Sequence, residues 1–166
     1  ELVQDGDTVI IDGGTTPYQV ALNLQNKNIQ VVTNSLPVAN LFADSRNVQV
    51  LSTGGTLYPG TGVYLGPYAN NTINNIKAQK AFIGVAGITK EGFYNSNALV
   101  VETERCIIEA ASQIYVVTDH TKFNRHALAF LCDFSKIIEI ITDSINKVNR
   151  NITEYLMTKN IKLTYA

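Results

Sequence analysis

Short apolar runs alternate with glycine-bearing turns and amphipathic stretches along this 166-residue chain. Val9-Ile10-Ile11, Ile29-Gln30-Val31-Val32, Val48 to Leu51, Ala81 to Ile88, Ile114 to Thr118, Ala127 to Leu131 and Ile137 to Ile141 are all strand-sized. Several are apolar at consecutive positions, which suits strands buried on both faces, as in a parallel sheet covered by helices. Helices are expected between them over 15–24, 67–76, 99–111 and 148–159, with a further one capped by Ser35 and running to Ala43. Leu57 to Gly66 reads as a glycine-laced loop or irregular hairpin, and Lys90-Glu91-Gly92-Phe93 as a turn. With Ile161 to Thr164 closing the chain, the alternation of β and α segments predicts a layered α/β fold.

The most informative stretch is Thr8 to Ala21, TVIIDGGTTPYQVA. Its apolar strand ends at Asp12, and Gly13 and Gly14 then allow positive φ and close approach of a ligand to the backbone. Thr15 or Thr16 is expected to cap the helix that follows, and Pro17 fits its first turn. Free N–H groups there, with the helix dipole and two hydroxyls, favour a phosphate; the plainer alternative is a turn whose glycines only ease packing. Neither the Walker nor the dinucleotide fingerprint fits, because the lysine and the third glycine are absent. Two later strands end in Thr33-Asn34-Ser35 and Thr53-Gly54-Gly55, and ligands of open parallel sheets sit beyond such carboxyl ends. Another strand delivers Asp119-His120-Thr121-Lys122.

Composition narrows the class. Hydrophobic residues make up 45% and charged residues 16%, ordinary for one α/β domain of this length. The formal net charge of −1 argues against standing attraction to nucleic acid or an anionic membrane. No apolar stretch reads as a signal peptide or membrane span, so a cytoplasmic location is expected. Cys106 and Cys132 lack metal or redox spacing and read as reduced core thiols, and His126 has no visible partner for a metal. No cofactor or metal is expected. The chain opens at Glu1-Leu2-Val3 without Met, as though a domain preceded it.

Five blocks then coincide with a known pattern: VIIDGGTT from Val9, VVTNS from Val31, TGG from Thr53, AFIGVAGI from Ala81 and VTDHTKF from Val117. In this order and spacing they resemble the carboxyl-terminal sensor domain of DeoR-family bacterial transcriptional repressors, over nearly the whole chain. The resemblance implies a three-layer α/β/α Rossmann-like sheet of the ribose-5-phosphate isomerase and glucosamine-6-phosphate deaminase type. It implies a phosphorylated sugar or related metabolite as effector, operator DNA bound through an absent amino-terminal winged helix-turn-helix, no membrane, and a homo-oligomer, dimer or tetramer. On this reading Gly13, Gly14, Thr15 and Thr16 hold the phosphate. Thr33, Asn34, Ser35, Gly54 and Gly55 bound the crevice, Asp12 fixes the turn or accepts a sugar hydroxyl, Gly84 and Gly87 leave room for the sugar, and Lys122 supplies a cation.

The same fold includes enzymes, so a sugar-phosphate isomerase or deaminase is the alternative, with a nucleotide-binding module third. The isomerase-like pattern has Asp-Gly-Ala-Asp where this chain has Val85-Ala86-Gly87-Ile88-Thr89, so its carboxylates are missing. Glu91, Glu102 and Glu104 are expected on a surface turn and exposed helix faces. A protein that binds its ligand without turning it over is therefore expected. The chain also departs from the family pattern. Gln79 stands where an acid is usual, and Val100 and Glu104 where a Glu and a Lys are familiar.

Overall fold

The structure, a computed structural model, describes residues 2–144, 148 and 150–166. Its centre is a seven-stranded sheet in the order β12-β11-β9-β6-β1-β2-β3. The strands are β1 (Thr8–Ile11), β2 (Ile29–Thr33), β3 (Val48–Ser52), β6 (Ala78–Gly84), β9 (Ala111–Val117), β11 (Ile137–Thr142) and β12 (Lys162–Tyr165). Every neighbouring pair runs parallel. β1 sits inside the sheet, Val9 facing Val31 on one side and Lys80 on the other, and its Val9, Ile10 and Ile11 are fully buried.

Alternate residues of these strands feed two cores, because successive side chains point to opposite faces. Val9, Ile11, Val31 and Phe82 pack with Ala21 of α1 (Thr15–Leu22) and Val38 of α2 (Leu36–Leu41). Ile10, Val32, Ala81 and Ile83 pack on the other face with Ile73 of α3 (Pro67–Asn74), Ile107 of α4 (Ala98–Ala110) and Leu156 of α5 (Arg150–Thr158). The result is the expected α/β/α sandwich. Of the helix expected over 148–159, residue 149 lies outside the described residues.

Three details differ from expectation. The run Ala81 to Ile88 is two strands, since the chain leaves the main sheet after Gly84 and turns through Val85-Ala86 into β7 (Gly87–Thr89). β7, β8 (Gly92–Asn95) and β10 (Ala129–Cys132) form a separate antiparallel flap in the order β10-β8-β7. Within the expected Lys90–Phe93 turn the chain reverses at Lys90-Glu91, and Gly92 and Phe93 are already strand, Gly92, at φ +142 and against the Cys132 carbonyl, pairing with Thr89 of β7. The stretch Leu57 to Gly66, expected as a loop or irregular hairpin, is a hairpin of β4 (Thr56–Tyr58) and β5 (Val63–Leu65), as one of the two readings had it. The cap of α1 is Gly14 itself, with no side-chain cap; Thr15 and Thr16 are already its first helical residues.

Candidate ligand site at the carboxyl edge of the sheet

A cavity of about 630 Å³ opens where β1, β2, β6 and β9 end. That volume lies in the range of small-molecule sites. Its first wall is the β1–α1 turn, Asp12 to Thr16. Gly14 takes φ +121, a conformation natural only to glycine, and starts the helix there. Tyr18 N–H donates to the Gly14 carbonyl (3.1 Å), closing the first turn, and Pro17 has no N–H. Among the described residues no acceptor takes the amides of Gly14, Thr15 or Thr16. Three main-chain donors at a helix start therefore line the cavity. Gly13 is fitted to the β4–β5 hairpin, since a Cβ on it would lie 2.0 Å from Val63 Cγ1.

Asn34, Ser35, Gly84 and Lys122 also line the cavity, so the structure brings together nine of the residues singled out from sequence. It does not bring in the other four. Thr33 is fully buried and ties the strand ends together, donating to the Ile11 carbonyl (2.6 Å) and accepting from Ser35 N–H (3.0 Å). Gly54 and Gly55 lie away from the lining; Gly55, at φ +111, packs so that a Cβ would sit 2.9 Å from the Leu65 carbonyl and 3.1 Å from Ala69 Cβ. Gly87 leaves room for backbone rather than ligand, its Cβ position falling 2.2 Å from the Arg125 carbonyl. Ser35 lines the site, yet its hydroxyl caps α2 by accepting from Val38 N–H (3.4 Å).

The second wall overturns one expectation. Glu104 is not on an exposed face: it is 1% exposed and lies within hydrogen-bonding reach of Asp12, itself 2% exposed, in the cavity lining. Glu104 Oε1 accepts from Asn95 Nδ2 of the flap (2.6 Å). Asp12 Oδ2 accepts a long hydrogen bond from Gly84 N–H (3.4 Å). Burial, followed by the charge of Asp12, pushes the Glu104 carboxyl well above its usual range. Burial likewise pushes Asp12 up to about 6, against the opposing pull of the Gly13 amide and the neighbouring Asn34. The two carboxyls therefore titrate as one coupled pair that holds a proton more tightly than free carboxyls do. Asn34, 1% exposed, completes this wall beside Asp12, its Oδ1 in no hydrogen bond. Helical spacing could have found Glu104: it lies between Val101 and Ile108 at i+3 and i+4, on the buried stripe of α4.

Lys122 Nζ stands 3.6 Å from Asp119 Oδ2 at the cavity's outer side, the two side chains 30% and 39% exposed. Burial pushes the Asp119 carboxyl up, but hydrogen bonds from Thr121 and the nearby Lys122 outweigh it and hold it low. His120 pairs through Nδ1 with Asp143 (2.8 Å) outside the lining, a structural role. No group of three acid, histidine or cysteine side chains among the described residues could hold a metal ion.

By architecture, this is a Rossmann-type sheet with its crevice at the strand ends. Solved structures share that fold at low identity. Ribose 5-phosphate isomerase A from Methanocaldococcus jannaschii aligns over 74% of this chain and 48% of its own, at 14% identity and TM-score 0.51. The eIF2B delta protein of Chaetomium thermophilum aligns over 83% and 50%, at 16% identity and TM-score 0.57. The family model of the DeoR C terminal sensor domain matches residues 1–144, and the chain belongs to that family. A putative aga operon transcriptional repressor of Escherichia coli O157:H7 is 36% identical over 86% of this chain and 54% of its own length. The glycerol-3-phosphate regulon repressor of E. coli K12 is 32% identical over 87% and 58%, and the lactose phosphotransferase system repressor of Lactococcus lactis 33% over 86% and 57%. The chain thus spans little more than half the length of these relatives.

Proposed function

We propose that this chain is the effector-binding part of a transcriptional regulator of sugar metabolism, and that its effector is a phosphorylated sugar or related metabolite. The observation that carries this is the row of unpartnered amides from Gly14 to Thr16 at the start of α1, opening on a cavity large enough for such a molecule. Anions are stabilised there by the helix dipole and by direct hydrogen bonds. Lys122, also in the lining, adds a positive charge. Relatives named as repressors of an aga operon, a glycerol-3-phosphate regulon and a lactose phosphotransferase system support the reading, as does a ribose-5-phosphate isomerase of the same fold described in complex with phospho-erythronic acid.

In the full regulator, effector binding biases one arrangement of protomers, and linkage then alters the operator affinity of an amino-terminal DNA-binding domain. The sensor works in the cytoplasm as a homo-oligomer, matching paired half-sites in DNA. The test is a thermal-shift panel of phosphorylated sugars, polyols and their free counterparts. Saturable stabilisation by phosphorylated members alone is expected, and a panel without any stabilising member refutes the reading.

The buried Asp12–Glu104 pair favours a second reading, because two coupled carboxyls with raised pKa in a substrate-sized cavity are the kind of equipment acid–base catalysis uses. Binding without turnover remains the proposal. Conversion of ribose 5-phosphate or glucosamine 6-phosphate, measured by product formation, would replace it with an enzyme.

A further inference from the structure

The cavity's charges do not suit a ligand that is only an anion. The ionisable acids and bases of opposite sign that line it are Asp12, Glu104 and Asp119 against the single Lys122, which already has Asp119 at 3.6 Å. A sugar phosphate brings further negative charge into this space, and like charges in a poorly solvated site repel strongly. The amides of the first wall offset the phosphate, but nothing on the second wall offsets Asp12.

That wall is also unfinished. Asn34 Oδ1 is buried without a hydrogen-bond partner, and beside it Asp12 and Glu104 form a buried carboxyl pair within hydrogen-bonding reach of each other, with no cationic side chain against it among the described residues; all three residues line the cavity. Leaving such groups uncompensated is costly, so they mark the place where a ligand's polar group gains most. Two carboxyls and an amide oxygen form an acceptor-rich cluster, whose natural complement is a donor carrying positive charge. Among the described residues, too few ligating side chains gather here for a metal ion. Sugar hydroxyls would supply donors but leave the charge uncompensated.

We propose that the molecule recognised here carries a primary amine as well as a phosphate, its ammonium held by the carboxyls of Asp12 and Glu104 beside Asn34. Phosphorylated amino sugars are the ligand class. This rests on the sensor reading above: the phosphate takes the Gly14–Thr16 amides, and the amine identifies the sugar. An N-acetylated sugar loses both the charge and two of the three donors, so it is discriminated against.

The experiment is calorimetric titration of the chain with glucosamine 6-phosphate and galactosamine 6-phosphate, each beside its hydroxyl congener, glucose 6-phosphate or galactose 6-phosphate, and its N-acetyl derivative. Inorganic phosphate serves as the probe for the first wall. At least one amine is expected to bind roughly tenfold or more tighter than its congener, the yield of one charge-assisted hydrogen bond. That ratio should fall below about threefold in Glu104→Gln or Asp12→Asn, whichever folds by circular dichroism. Congeners that bind as well as the amines, an N-acetyl derivative that binds tightest, or a ratio that survives both substitutions overturns the proposal. If phosphate and hydroxyl congeners bind without an amine preference, only this inference fails. If neither inorganic phosphate nor any ester binds, the sensor reading fails with it.

Discussion

The two walls of the cavity are built from different materials. The β1–α1 wall presents main-chain amides set by the conformation of Gly14, and Thr15 on it is exposed. The α4 and flap wall presents side chains, Glu104 and Asn95, buried and fixed by packing between a helix and an antiparallel sheet. A backbone cradle accepts any phosphate and changes little when side chains change. A carboxyl wall can be altered by one substitution without disturbing the strand ends. On the proposed reading the first wall decides that an anion is held, and the second decides what it is attached to.

The largest expected effect comes from blocking the first wall. Thr15→Trp puts a bulky side chain over the free amides, and loss of two charge-assisted hydrogen bonds weakens phosphate esters by roughly a hundredfold. The ligand-induced thermal shift should vanish, while the unliganded melting temperature moves by no more than about 2 °C because Thr15 is exposed. An undiminished shift would remove the phosphate from this turn.

The second wall is broken by pH rather than by bulk. Asp12, raised to about 6 from a model-compound 3.8, and Glu104, raised further, stay protonated in the folded chain where the unfolded chain has released its protons. Folded carboxyls with raised pKa make stability fall as pH rises, from about 4 through 6 and beyond, by order 1–3 kcal/mol. Asp7, Asp119 and Asp143, all held low, act with the opposite sign but only below about 4. Melting temperatures of the unliganded chain should thus decline from pH 4.5 to 7.5, and Glu104→Gln should remove at least half of the slope. A flat profile in the unaltered chain would mean that the two carboxyls do not share a buried wall.

Legibility follows the same division. The first wall is one contiguous stretch, so its glycines, hydroxyls and helix start could be read locally, and the parallel strands announced themselves as continuous apolar runs. Only the cap was misplaced, on Thr15 or Thr16 instead of Gly14, because a glycine cap leaves no side-chain signal. The second wall joins Asp12, Asn95 and Glu104, remote in sequence, through a flap whose strands hide inside a glycine-rich turn. Gly87 shows the difficulty: a glycine needed for close backbone packing looks the same in sequence as one that makes space for a ligand. Glu104 was read as exposed because charge was weighed above its place on the apolar stripe of α4.

Gly87 also tests the flap that supports the second wall. Gly87→Ala drives a methyl into the Arg125 carbonyl, backbone against backbone, and overpacking of this kind costs about 1–2 kcal/mol after relaxation. A fall in melting temperature of roughly 3–6 °C is expected. Because β8 carries Asn95, which holds Glu104, selectivity among phosphate esters should suffer more than affinity for inorganic phosphate. Equal losses in both would show that the flap serves the whole cavity.

The smallest effect is expected at Lys122, where the two walls meet solvent. Its ammonium is about one-third exposed and shared with Asp119 at 3.6 Å, and such a pair contributes less than about 1 kcal/mol to stability. Lys122→Met keeps the length of the side chain while removing the charge, so the melting temperature should barely move. Affinity for inorganic phosphate should fall about threefold in dilute buffer, since a lost point charge near the mouth weakens attraction across partly aqueous space. The same deficit should shrink towards nothing at 1 M salt, where the screening length is about 3 Å, if Lys122 acts on the phosphate through solvent rather than by contact. A loss of tenfold or more that persists at high salt would instead place Lys122 in direct contact with the phosphate, and would shift part of the anion's hold from main chain to side chain.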